Sequence, residues 1–88
     1  ELLALEMTQA ANNLDEALLE RRLADTSMEA AEENLRMSRR QYEAGLETLS
    51  DYLEAQAVWQ QASRTQVEAR IGSYLRWLEY RKAAGLLD

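Results

Sequence analysis

The stretch Tyr42-Glu43-Ala44-Gly45-Leu46-Glu47-Thr48-Leu49-Ser50-Asp51-Tyr52-Leu53-Glu54-Ala55-Gln56 decides the fold. Gly45 is one of three glycines and falls almost at the middle of 88 residues. Without a Cβ, glycine enters the left-handed region that ends a helix, so Gly45 reads as the residue just past a helix C-terminus. Three positions on, Thr48-Leu49-Ser50-Asp51 has the form of a capping box. The Thr48 hydroxyl is placed to accept from the Asp51 amide, and the Asp51 carboxylate to reach back to the Thr48 amide. A stop followed so closely by a start leaves room only for a tight reversal. The expected fold is therefore all-α: a long antiparallel, coiled-coil-like helical hairpin. Its helices are expected over about 2–44 and about 48–84, with the tip between, and residues 1–88 form one such unit.

Working outward, composition agrees. The chain has no proline, and alanine, leucine, glutamate, glutamine and arginine dominate, as in long helices. In the first arm, spacing by seven gives a row of mostly large residues, Met7, Leu14, Arg21, Met28, Leu35 and Tyr42. A companion row is mostly small: Leu3, Ala10, Ala17, Ala24, Ala31, Ser38 and Gly45. Together they form one heptad seam, and the alanines allow close approach of a neighbouring helix. Arg21 reads as a side chain snorkelling at the seam edge. Arg36, Arg39 and Arg40 complement the negative end of the first helix.

The second arm does not settle on one stripe. Leu46, Leu53, Val67 and Tyr74 share a row, Leu49 and Trp77 another, and Ala57, Ile71 and Leu78 a third. A further face carries Ala55, Trp59, Ala62 and Ala69. A helix apolar on two sides has neighbours on two sides, which fits a helix in a wall better than one in an isolated pair. The isolated chain is accordingly expected to self-associate. Trp59, Tyr74, Trp77 and Tyr80 read as packing anchors, Gly72 as a close-packing point, and Gly85 as a second helix stop.

Charge and missing residue types exclude whole classes of function. A net charge of −6 speaks against nucleic acid and against an anionic membrane surface. No apolar run is long enough to span a bilayer as a helix. With no histidine there is no Glu-x-x-His di-metal site and no imidazole base. Neither a glycine-rich phosphate loop nor a Ser-His-Asp set is present. Asp51 and Glu54 share a helix face just behind the tip, where paired carboxylates can act as acid and base or hold a hard cation. One hairpin offers them no enclosed pocket, and by themselves they complement a helix N-terminus. The reading is of a non-enzyme with no cofactor and no metal site. The start at Glu1 reads as that of a piece excised from a longer chain.

The tip also carries a resemblance. Tyr42-Glu43-Ala44-Gly45, Thr48, Asp51 and Leu53-Glu54-Ala55-Gln56 resemble the Tyr-x-x-Gly-x-x-(Thr/Ser)-x-x-(Asp/Glu)-x-Leu-(Asp/Glu)-Ala-Gln signature of TolC-type outer-membrane efflux proteins. Ala31-Glu32-Glu33-Asn34-Leu35 is similar to the family's Ala-x-x-Asn-Leu. Ala69-Arg70, Tyr74-Leu75 and the closing Ala84-Gly85-Leu86-Leu87 resemble its returning helix. The resemblance implies one periplasmic hairpin, the second of two per subunit, of a homotrimeric channel in the outer membrane. That channel is a passive exit duct meeting a periplasmic adaptor of the membrane-fusion type, with an inner-membrane pump completing the assembly. It implies further that Tyr42, Gly45, Leu46 and Thr48 lie at the adaptor-facing tip, and that Asp51 and Glu54 line the tunnel constriction. Several members carry a base within the turn where this chain has Glu47, so a closing salt bridge through such a base does not carry over. The competing reading is a generic coiled-coil interaction or spacer hairpin without a pore.

Overall fold

A computed structural model describes residues 2–85 and contains two helices, α1 (Leu2–Glu43) and α2 (Leu49–Ala83), with no strand among them. The fold is the all-α helical hairpin expected from the turn. The helices contribute to two compact units, one of Ala24–Gln66 and one of Glu1–Leu23 with Val67–Asp88. The Leu86-Leu87 part of the closing motif lies outside the described residues.

The unit that contains the turn is held along a seam of small side chains. Ala24, Ala31 and Ser38 of α1 are buried, as is Ala55 of α2, and Met28 is the one large buried residue there. Leu35, Tyr52, Trp59, Ala62 and Gln66 flank them half-buried. Residues spaced alternately by three and four fall on one side of a helix, and alanine at the closest points lets the backbones approach. A polar link also crosses between the helices here: the Gln66 side-chain amide donates to the Asp25 carboxylate at 2.9 Å.

The second unit repeats the scheme. Among its described residues Ala17 and Ser73 are buried, with Ala10, Leu14, Ala69, Leu78 and Tyr80 half-buried. Ser73 is accommodated inside because its hydroxyl donates to the Arg70 carbonyl at 2.9 Å, back along its own helix. Arg21 is exposed, consistent with a side chain reaching out from the seam edge. Within the chain Tyr74 and Trp77 stay exposed; they stack on each other at the surface with centroids 6.0 Å apart, and Arg81 lies 4.9 Å over the Trp77 ring. Gly72 is no point of close packing within the chain, since a Cβ there would meet nothing within 4 Å.

The large apolar residues mostly look away from the seam. Among the described residues eighteen large hydrophobic side chains are exposed, Leu46, Leu53, Val67, Ile71 and Tyr74 of the second arm among them. Each such side chain gains about 1.5–3 kcal/mol when fully buried, so outward leucines outweigh the inward alanines as a drive to associate. The isolated chain is expected to form dimers or larger bundles as its concentration rises. Sedimentation equilibrium checks this, and a strict monomer at millimolar protein would count against neighbours on both sides of α2.

Candidate functional site

The tip is built by backbone hydrogen bonds that the sequence dictates. At the end of α1 the Leu46 N–H donates to the Gln41 carbonyl at 2.8 Å and the Gly45 N–H to the Tyr42 carbonyl at 3.0 Å. That nested pair is a Schellman motif with Gly45 at its left-handed position, φ +77°. Gly85 ends α2 in the same conformation, with φ +75° and its N–H on the Lys82 carbonyl at 3.1 Å. On the other side of the turn Thr48 caps α2. Its Oγ1 accepts from the Asp51 N–H at 3.1 Å, and its carbonyl accepts the first helical bond from Tyr52. Only this half of the capping box forms; among the described residues no bond returns from the Asp51 carboxylate to the Thr48 amide. Asp51 still lies in the first turn of α2, where a negative charge suits the helix dipole.

Between these devices Glu47 folds back toward the first arm. The buried Ser38 hydroxyl donates to its Oε1, a link across the turn. The seam row already pointed here, because Ser38 is the polar member of an otherwise small apolar row. What the row alone does not supply is its partner.

A groove of about 510 Å³ runs down one side of the tip. Asn34, Met37 and Gln41 of α1 face Asp51, Glu54 and Val58 of α2 across it, with Leu46 and Glu47 at its end. The structure thus brings Leu46, Asp51 and Glu54 together. Asn34 belongs to the Ala-x-x-Asn-Leu stretch, whereas Met37, Gln41 and Val58 are groove residues that the sequence reading did not single out, since none carries a motif. Gly45 and Thr48 act through the backbone, as stop and cap. Tyr42 does not line the groove. Three carboxylates open onto it, yet among the described residues no group of three acids is arranged to hold a metal ion.

Tyr42 instead stacks on Tyr52, with ring centroids 5.3 Å apart and planes inclined by 9°. The Arg39 Nε–H donates to the Tyr52 hydroxyl at 3.4 Å, a long bond. That bond holds the Tyr52 phenol below the usual tyrosine range and the Arg39 guanidinium above its own. The cause is mutual: a cation beside the oxygen favours phenolate, and the phenolate favours the cation. Arg39→Gln is therefore expected to move the Tyr52 titration upward, toward an ordinary tyrosine. Ultraviolet absorbance followed to alkaline pH, with Tyr52→Phe as the control that isolates this residue among four tyrosines, reads the shift, and an unchanged curve would remove Arg39 as the cause.

A seam of small residues, large apolar faces turned outward and an acid-lined tip define a long helical hairpin whose apolar faces stay uncovered within the chain. The chain belongs to the outer membrane efflux protein family, whose family model matches residues 2–85. The TolC-type resemblance read from the tip motif is thereby borne out. No match was found among curated proteins or among solved structures. Among the described residues no helix is long and apolar enough to cross a membrane.

Proposed function

We propose that this hairpin is a periplasmic wall segment of an outer-membrane efflux channel, part of a longer chain whose three copies enclose a passive exit duct. In this reading the large apolar faces of the hairpin pack against neighbouring hairpins of an α-barrel. The tip points toward the inner membrane, where a periplasmic adaptor docks on it and links it indirectly to an inner-membrane pump. Tyr42, Gly45, Leu46 and Thr48 form the adaptor-facing tip, and Asp51 and Glu54 line the constriction. The segment carries out no catalysis; substrate choice belongs to the pump.

The observation that carries the reading is the direction of the apolar residues. Leu46 at the tip is 80% exposed, the highest value among the large hydrophobic residues. An apolar side chain that wet at the end of a rigid turn gains most from a partner that covers it. The test is a Leu46→Cys variant of the full-length protein carrying a photo-activated cross-linker, in cells that contain the adaptor. The expected product is a covalent adduct with the adaptor, and none from a probe at Ile71, which would face another hairpin. Adducts from Ile71 but not from Leu46 would reject tip-first docking.

A further inference from the structure

The Tyr42 and Tyr52 rings close the turn from either side, one leaving α1 and the other entering α2, and they take no part in the acidic groove. Their spacing and near-parallel planes are those of an offset stack in van der Waals contact. Tyr42 is 38% exposed and Tyr52 half-buried, so small oxidants reach the pair. A tyrosyl radical carries much of its unpaired spin on the ring carbons ortho to oxygen. Two such radicals couple when those carbons meet, and the encounter is ordinarily the slow event. Here the fold has already brought the rings together, which converts a bimolecular encounter into a local one. We infer that Tyr42 and Tyr52 are an oxidative cross-linking site that joins the end of α1 to the start of α2 as dityrosine.

The oxidant is hydrogen peroxide acting through a haem peroxidase. Each phenol gives up one electron and its hydroxyl proton, and the two radicals pair their electrons as a bond between one ortho carbon on each ring. Those carbons then release their hydrogens as protons, the rings regain aromaticity, and the oxygens are protonated again. Two hydrogens leave overall, and one peroxide takes up both electrons and both protons to give two waters. The cation at Arg39 supports the step, because it favours the Tyr52 phenolate and a phenolate loses an electron more readily than a phenol. The competing tyrosines are less well placed: of the chain's four, Tyr74 stacks on Trp77, and no ring contact pairs Tyr80 with another tyrosine among the described residues. Once formed, the bond ties the two helix ends directly, and the turn no longer opens independently of them.

The experiment treats the chain at low concentration with peroxide and a haem peroxidase, then measures intact mass and dityrosine fluorescence of the monomer. The expected product is a monomer lighter by two hydrogens. Cleavage after Glu43 and Glu47 should leave the Tyr42 and Tyr52 peptides joined. Tyr42→Phe and Tyr52→Phe keep a ring in the stack and should each abolish the product, whereas Tyr74→Phe and Tyr80→Phe should leave its yield unchanged. Circular dichroism confirms that each variant retains its helix. Dityrosine found only in covalent dimers, surviving in Tyr42→Phe, or absent from the monomer would each overturn the assignment.

Discussion

Replacing Asp51 and Glu54 together by alanine in the full-length channel is expected to lower its preference for cations over anions on the order of tenfold. The physical reason is a ring of like charge. Both carboxylates open onto one side of the tip, and if three hairpins turn that side inward, all their acids meet in one narrow passage. Walls of low polarisability focus the field of such a ring and concentrate counter-ions within it. The geometry of the cap makes the substitution clean. Asp51 caps through its backbone N–H on Thr48, which alanine retains, so only the helix-dipole contribution of about 0.3–1 kcal/mol is lost. Single-channel recording in asymmetric salt reads the result as a shift of reversal potential toward zero, with weaker block by a trivalent cation. An unchanged reversal potential would mean that these acids only complement a helix end.

The second large effect is expected at Gly45. Space is not the issue there, because a Cβ would meet nothing within 4 Å. The backbone is: at φ +77° a β-branched residue is strongly disfavoured, and an ordinary L-residue costs about 1–2 kcal/mol. Gly45→Val should therefore destabilise the hairpin by about 2 kcal/mol or more, and lower its melting temperature by about 10 °C. Asparagine tolerates the left-handed region, so Gly45→Asn should lose clearly less than Gly45→Ala, and valine most of all. The ranking separates backbone strain from side-chain bulk. Thermal unfolding followed by circular dichroism, at a concentration where the association state is matched, supplies it. Equal melting temperatures for glycine and valine would show that the reversal does not depend on this conformation.

The turn was the most legible part of the chain because its signals are local. Gly45 and Thr48 act on hydrogen bonds within a few residues of themselves, and no distant contact can reverse their effect. The small row of α1 was legible for a related reason. Ala17, Ala24, Ala31 and Ser38 recur at one spacing on one helix, and all four are buried. The family motif rests on the same short-range pattern around the tip.

The second arm shows where a sequence stops deciding. Several rows of α2 are apolar, and nothing within the helix ranks them. Docking against the alanine row of α1 selects Ala55 and Ala62 for the seam, because small residues facing small residues permit the closest approach; Trp59 flanks them half-buried, and Leu53, Val67 and Tyr74 are left outside. Three contacts at the tip are of the same kind. Glu47 meeting Ser38, Tyr42 stacking on Tyr52, and Asp51 sharing a groove with Met37 each join residues on opposite sides of the reversal. By itself the sequence determined that two long helices form, where the chain turns, which face of α1 is small, and which family the tip resembles. Only the tertiary structure decided which face of α2 meets α1, and so which side chains converge at the tip. Helix periodicity constrains neighbours along one rod; the rotation of one rod against another is set by packing between them.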